Sequence, residues 1–451
     1  VILTNPFNVG AGQPPPTFTF SNAKLLMHGS ARPFIDAGPN KRLAVNHQGL
    51  CTLSSGAISG NNANAALRIY GADSDWQFGS GSWFISARVN YNGANTRIFD
   101  SRPTAGSSSG WAMAIQASTG VPFMTIEGTT YGTGTPAANL TVGGGANHDV
   151  AFSYDGSVLR CFVDGAVSWS HTVALNIDTG GILAIHNTAD LTNGNTGSLL
   201  SELLIVSGEA VATSVYGLPT TWTDTGTLIE GWDPATYSNV KLNVHGSGTN
   251  GGTTFTDTSA SARTVTANGN VQTSTAQARI GSSSILFDGT GDFLTVPQSS
   301  DFTFAADFTV EMQVRTASTS RQVLISCYQD STTGWTLQIS LTNAGRVLFS
   351  ATGDGAEIDT NAGYLPVATN TWTHVMVARW GTFLLLFIEG EAVMLVSDSQ
   401  TLTDSVALYI GRLTTVSTSI DFNGYMQEIR VVKGEAPHRS FSVQTAAHPD
   451  S

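Results

Sequence analysis

Charge is scarce in this 451-residue chain. Asp, Glu, Lys and Arg together make up 12 %, against roughly a quarter in ordinary globular proteins. Lysine occurs only as Lys24, Lys41, Lys241 and Lys433, and there are ten glutamates. The net charge is −13 and neither half holds a basic tract. That excludes a nucleic-acid interface, which needs clustered Lys and Arg to neutralise phosphates, and equally a polybasic membrane contact. Cysteine is nearly absent: Cys51, Cys161 and Cys327 form no CxxC pair and are too few for a disulfide framework. Cys161 lies inside the strand-like run VLRCFVDG and reads as a buried free thiol; a single Cys51–Cys161 bridge is the alternative. The count fits assembly in a reducing cytosol. No apolar run approaches the ~18 residues of a membrane span, so membrane insertion is not expected. The opening VILTNPFNVG lacks the basic start and continuous apolar core of a signal peptide. A chain that opens on Val1 implies processing or a start further upstream.

What the chain has is apolar residues, turn formers and an internal repeat. A hydrophobic content of 41 % with regular aromatic spacing argues against disorder. The length suits two or three domains. ELLIVSGEA (202–210) returns as EIRVVKGEA (428–436), and the correspondence runs well beyond this phrase. KLLMHGS (24–30) answers KLNVHGS (241–247), and GSGSWFISARV (79–89) answers FAADFTVEMQV (304–314). GWAMAI (110–115) answers GWTLQI (334–339). HDVAFSYDGSVLRCFVDG (148–165) answers HVMVARWGTFLLLFIEG (374–390), and LAIHN (183–187) answers LYIGR (408–412). Motifs in one order at a nearly constant offset mean two homologous domains, each large enough to stand alone. The expected boundaries are an extended, Pro-containing N-terminal arm (1–22), a first domain (23–218), a linker (219–239) and a second domain (240–451).

The elements read as strands almost throughout. FTVEMQV and WFISARV alternate in polarity, and RVLFSA, THVMVARW, LLLFIEG and EIRVVKG are short β-branched or aromatic runs between turn residues. VDG (163–165) and IEG (388–390) place glycine where adjacent strands must reverse. No segment of helical length keeps a 3.6-residue period. The fold class is therefore all-β, with two packed antiparallel sheets per domain, a sandwich or jelly roll.

SSSILFDGTGDFLTVPQSSDFTFAADFTVEMQVR (282–315), WTHVMVARWGTFLLLFIEGEAV (372–393) and GYMQEIRVVKGEA (424–436) resemble a laminin-G-like domain of the concanavalin A-like lectin/glucanase superfamily. The first half departs from that pattern: IYGADSDW (69–76) stands for FDGTGDFL, and ANHDV for WTHV. The resemblance implies two tandem concanavalin A-like jelly-roll β-sandwiches. Its subtype, carried by residues 240–294, is similar to domains common in bacteriophage virion proteins. The superfamily includes lectins, glycosidases and structural modules, so the fold alone assigns no activity.

A glycosidase needs two carboxylates about 5 to 10 Å apart, and no such constellation stands out. Glu389 and Glu391 have a strand-like spacing, but Gly390 between them marks a turn and the first copy has Asp164 and Ala166. His28 and His245, and His148 and His374, recur in both copies, which points to structural roles; no H-x-H or H-E-x-x-H accompanies them. GSSSG (106–110) and VGGGAN (142–147) read as loops rather than a nucleophile elbow or a phosphate cradle. Asp292, Asp421 and Asn423 fall in turns at the expected sheet rim, where the resemblance implies that some relatives hold Ca²⁺, and form a candidate calcium set; turn formation is the alternative. Sugar binding uses exposed aromatics as stacking platforms. Trp111 and Trp335 are strand-embedded and belong to the core. Trp76, Trp222, Trp232, Tyr328 and Tyr364 lie near expected loops and are the candidate ligand-binding residues.

The expected function is that of a non-enzymatic bacteriophage virion protein, a capsid decoration or a tail or fibre component. It would be assembled in multiple copies in the host cytoplasm, with other virion proteins and host-surface glycans as partners and no obligatory cofactor. A secreted or surface carbohydrate-binding adhesin is the second reading, and a glycoside hydrolase of the same superfamily the third.

Overall fold

The computed structural model describes residues 232–450 except 331–332, 341–345, 352–356, 360–366, 405, 414–419 and 444. In the first half it describes 42–210 except 48–49, 55–56, 61–63, 133–139, 141–145, 189–190 and 192–197, with residues 2–3, 18–19, 23–27, 36, 212 and 214 beside them. The chain divides into two compact units, Val1–Thr227 and Leu228–Ser451. Each contains two main antiparallel sheets, and no α-helix occurs among the described residues. Ile2–Leu3 pairs with Phe18–Thr19, so the two ends of the N-terminal lead, expected to be extended, meet each other.

In the second unit one sheet runs Gln272–Ser274, Ser284–Asp288, Asn423–Lys433, Phe308–Thr316, Thr373–Trp380, Phe383–Ile388, Glu391–Ser397, with Val240–Val244 also on Asn423–Lys433. The other holds Phe293–Val296, Leu408–Ile410, Arg321–Ser326 and Trp335–Ser340 at its centre. Alternation decides what lies between them. Phe308, Val310, Met312 and Val314 enter the core with Leu337 and Ile339 from the facing sheet, while Thr309, Glu311 and Gln313 take the opposite face. Trp111 and Trp335 are fully buried, as their strand positions require. The hairpins follow the sequence: Asp164 (φ 49°) and Gly165 (φ 76°) join Val163 to Ala166, and Glu389 (φ 51°) and Gly390 (φ 73°) join Ile388 to Glu391. Positive φ at both central positions is the two-residue turn that matches strand twist.

The first unit repeats this plan. Leu199–Ser207 lies beside Trp83–Asn90 as Asn423–Lys433 lies beside Phe308–Thr316. Glu202 and Glu428 both have φ 49° at register shifts inside these strands, so they mark bulges rather than the strand start. A clamp also recurs. Asp36 accepts from the amides of Leu26 (3.1 Å) and Arg42 (2.9 Å), and Arg42 pairs with Asp75 (2.8 Å) over the ring of Trp76 (4.9 Å). Asp257 accepts from the amides of Asn243 and Arg263 (both 2.9 Å), and Arg263 pairs with Asp301 over Phe302 (5.2 Å).

This clamp corrects one correspondence. Ile69 pairs with Leu183 as Val296 pairs with Leu408, so IYGADSDW matches VPQSSDF (296–302) rather than FDGTGDFL. The counterpart of Phe287 is then Gly60, and the structure compensates. Phe287 packs on Gly411, where a Cβ would meet its ring at 2.8 Å; in the first unit Gly60 leaves that room to His186, which stands where Gly411 does. Both residues keep positive φ, 71° for His186 and 88° for Gly411.

The exchange has a consequence for stability. His186 is fully buried, its Nε2 3.1 Å from the Ile58 carbonyl, and burial lowers its pKa from 6.5 to about 4. The folded first unit therefore holds a neutral imidazole that the unfolded chain protonates below pH 6.5. Its contribution is complete above pH 6.5 and is lost as pH falls towards 4, on the order of 3 kcal/mol. Denaturation midpoints of His186→Asn, which tolerates positive φ, are expected to show a shallower loss across that window than wild type.

All three cysteines are free and buried, so the Cys51–Cys161 bridge is not formed.

Candidate functional site

On the second unit, three pieces of chain converge on a cleft of about 420 Å³: the turn after Thr373–Trp380, residues 434–441, and residues 232–235. Trp380 stands at its edge. It is 39 % exposed, and only Leu53 shares that status among the described large hydrophobics. The turn is held from below, since the Gly381 amide donates to Asp307 Oδ1 (2.8 Å) and the Asp307 carbonyl accepts from the Gly434 amide (2.7 Å). Asp307 thus fixes the platform relative to the start of the 434–441 segment. At the matching position the first unit has no such platform. Tyr154 pairs with Trp83 as Arg379 pairs with Phe308, which puts Asp155 at the position of Trp380. Asp155 is occupied in its own turn by the amides of Ser157 and Val158 and by Arg160.

Trp232 lines the cleft half-buried, with the Arg430 guanidinium 5.1 Å from its ring and its carbonyl accepting from Arg430 Nη2 (2.9 Å). Glu435 secures the same segment, accepting from the amides of Ala235 (2.6 Å) and Thr236 (2.9 Å) and from Asn239 Nδ2 (2.7 Å). Residues 232–239, the end of the expected linker, are therefore bonded to the second unit. At the other end of the 434–441 segment, Phe441 donates its amide to the Gly390 carbonyl (2.9 Å) and Ser440 Oγ accepts from the Ala392 amide (3.1 Å). Gly390 is required there, because a Cβ would lie 2.0 Å from the Phe441 carbonyl oxygen. Between these anchors sit His438 and Arg439. The His438 ring is 6.0 Å from that of Trp380, and burial, then the Arg439 charge, lowers its pKa.

Beneath the cleft, the face of the sheet opposite the core carries a buried ionic network. Arg430, fully buried, bonds Glu311 (Nε–Oε1 2.7 Å, Nη2–Oε1 2.6 Å) and Asp233 (2.5 Å). Glu311 also faces His374 (3.0 Å) and His448 (4.0 Å). Burial alone would raise the Glu311 pKa, but Arg430, His448 and His374 hold it at about 2. Burial lowers His448 to about 3. Nearby, His245 lies between Glu428 and Asp450 (both 2.9 Å), and its hydrogen bond to Glu428 raises its pKa against the opposing effect of burial. In the first unit the counterparts of Glu311 and Arg430 are Ser86 and Leu204, paired in register, and Leu204 packs with Leu26, Phe84 and Phe162. Arg430 and Leu204 are both fully buried, one in ionic and one in apolar surroundings.

Of the aromatic candidates, Trp232 lines the cleft. Trp76 is fully buried beneath Arg42, which corrects its reading as an exposed platform; the clamp uses its ring as a packing surface. Tyr328 is half-buried and does not line the cleft. Trp222 and Tyr364 lie outside the described residues. So does His28, whereas His148, His245 and His374 bond carboxylates. Glu389 stands in the turn with Arg279 bound through both its oxygens (2.7 Å each), whereas Glu391 is buried.

The calcium candidates are engaged with protein donors. Asp292 accepts from the amides of Asn270 (2.7 Å) and Asp288 (2.9 Å), which shapes the FDGTGD turn, and burial raises its pKa. Asp421 is bound by Arg412 (Nε–Oδ1 2.8 Å, Nη2–Oδ2 2.5 Å) and by the Gly291 amide (2.9 Å). Asn423 is half-buried, its amide bonded to Gln322 (2.8 Å). No group of three or more His, Cys, Asp or Glu side chains suited to a metal occurs among the described residues.

Residues 288–437 match the laminin G family model of the concanavalin A-like lectin/glucanases superfamily. The cleft is built largely from this laminin-G-like domain, Asp307, Trp380 and residues 434–437 within the matched span, with Trp232 and residues 438–441 flanking it. No curated protein matches the sequence. Among solved structures, the binding domain of Paraclostridial Mosquitocidal Protein 1 is 13 % identical over 44 % of this chain and 50 % of its own, with a TM-score of 0.37. The receptor binding domain of botulinum neurotoxin C/D mosaic serotype is 15 % identical over 46 % and 49 %, with a TM-score of 0.34. The chain spans about half the length of each, and neither assigns a role to any residue here.

Proposed function

We propose that the protein is a non-enzymatic glycan-binding protein whose second unit takes a saccharide in the cleft between Trp232 and Trp380. The observation that carries this reading is the exposed Trp380 indole at the edge of a cleft on a lectin-type sandwich. An exposed indole offers an apolar face to the C–H face of a sugar ring, and the surrounding polar groups give orientation. Hydrolysis is disfavoured by the state of the carboxylates. Among the described residues lining the cleft, Glu435 is held by three donors, Asp233 by Arg430 and Asp307 by the Gly381 amide, which leaves no pair of these carboxylates uncommitted for proton transfer and attack.

We place the protein in a bacteriophage virion, as a tandem pair of laminin-G-like domains assembled in the host cytoplasm beside other capsid or tail proteins. Scarce lysine, few charges and three buried free thiols support that setting. A surface adhesin would use the same cleft; co-purification with capsid or tail proteins is expected for the virion component and not for the adhesin. A glycan array probed with wild type is expected to give hits that Trp380→Ala loses. Retention of the hits, or sugar release from a bound glycan, would overturn the reading. Because Arg412 and main-chain amides occupy Asp421 and Asp292, binding is expected to be unchanged in EDTA; loss of the hits on chelation would restore the calcium set to the account.

A further inference from the structure

We propose that the cleft selects an acidic saccharide, a sugar ring bearing a carboxylate or sulfate, with Arg439 as its anion-binding group; this rests on the glycan-binding reading above. Among the described residues, arginine is almost fully committed. Arg42, Arg88, Arg97, Arg102, Arg160, Arg263, Arg279, Arg379, Arg412 and Arg430 each pair with a carboxylate. Arg315 and Arg321 bond the side-chain amides of Asn370 and Gln338, and Arg68 interacts with Tyr70. Arg439 is the exception: among the described residues its guanidinium makes no hydrogen bond or ion pair, and it lines the cleft that Trp380 edges.

The described carboxylates lining the cleft do not supply the missing partner. Asp233 is turned to Arg430, Asp307 to the Gly381 amide, and Glu435 to Ala235, Thr236 and Asn239. Neither does His438 compete for an anion at neutral pH, because burial and the Arg439 charge keep its imidazole uncharged. An unpaired guanidinium is a planar fork of donors that fits a carboxylate or sulfate through two parallel hydrogen bonds. Its backbone is set in advance. The segment is fastened on one side by Glu435 and on the other by Ser440 and Phe441, so little ordering remains to be done on binding. Trp380 would then carry the ring, and Arg439 would read the charge on it.

The test uses the full chain on matched glycan pairs that differ only in charge: oligogalacturonate and its methyl ester, sialylated and desialylated, sulfated and desulfated glycans. The acidic member is expected to bind more tightly, with an affinity that falls as NaCl is raised. The three pairs separate carboxylate from sulfate. Calorimetry on the best acidic hit is expected to show a loss of about 10- to 100-fold in Arg439→Gln, with binding of the neutral partner unchanged. Trp380→Ala is expected to weaken both members. If acidic and neutral members bind alike, or Arg439→Gln weakens both equally, the charge selection is wrong while the cleft stands. If Trp380→Ala changes neither, the cleft assignment fails and this inference with it. Since Arg439 has no partner among the described residues, Arg439→Gln is expected to keep the wild-type unfolding midpoint, which separates lost binding from lost fold.

Discussion

Arg430→Leu is expected to destabilise the second unit by about 3–5 kcal/mol, the cost of stranding a buried charge. Arg430 supplies two of the bonds to Glu311 and the bond to Asp233. Without it, Glu311, 2 % exposed, keeps only His374 and His448 beside it. The first unit shows how the same pair of positions closes without an ion pair, with Ser86 opposite Leu204. The double variant Glu311→Ser, Arg430→Leu is therefore expected to recover much of the loss, because replacing both partners removes the uncompensated charge. Hydrogen exchange at second-unit amides measures both.

The pH dependence carries the sign of the argument. The Glu311 pKa in the folded protein, about 2, is below that of the unfolded chain, so its contribution is complete above about pH 4.5 and lost as pH falls towards 2. His448, held neutral with a pKa of about 3, removes stability over the wider fall from pH 6.5 to 3. In Arg430→Leu the stranded carboxyl can take a proton, so the penalty of that variant should shrink in acid. A penalty independent of pH would mean that lost packing, and not lost charge compensation, is responsible.

The second large effect is on binding. Trp380→Ala is expected to weaken glycan binding by about 30-fold or more, the roughly 2 kcal/mol of an aromatic hot spot. The fold should be unaffected: Trp380 is 39 % exposed, and His438 is the ring beside it. Trp232→Ala should behave differently. Its ring lies against the Arg430 guanidinium, so the variant is expected to lose stability as well as affinity, and comparison of the two separates platform from support.

The strand pattern was legible because alternation in FTVEMQV and glycine at VDG and IEG are local properties, fixed by the pleat and by positive φ. The core roles of Trp111 and Trp335 followed from the same periodicity. Trp76 could not be placed that way: its burial depends on Arg42, whose guanidinium crosses from elsewhere in the chain to pair with Asp75. A signal for that clamp was present, since Asp36 and Arg42 have the same spacing as Asp257 and Arg263. The correspondence assigned to IYGADSDW failed for a related reason, because the exchange of Phe287 and Gly411 for Gly60 and His186 preserves volume in space and erases similarity along the chain.

Trp380 lies inside a run, THVMVARW, whose sequence reads only as a strand. The two copies nonetheless differ there, with Asp155 serving its own turn where Trp380 stands exposed, and such a difference between copies of one fold is where a site can be added without disturbing the core. Arg439 lies just past the repeated phrase, where no second copy offers a comparison. The phrase EIRVVKGEA itself proves to be more than a boundary: Arg430 holds the ionic face and Glu435 fastens residues 235–239 at the wall of the cleft.

The most direct test is one glycan array probed in parallel with wild type, Trp380→Ala and Tyr328→Ala. The account predicts hits for wild type that persist in Tyr328→Ala, whose ring lies away from the cleft, and disappear in Trp380→Ala. Hits that survive Trp380→Ala, or that vanish in Tyr328→Ala, would contradict it.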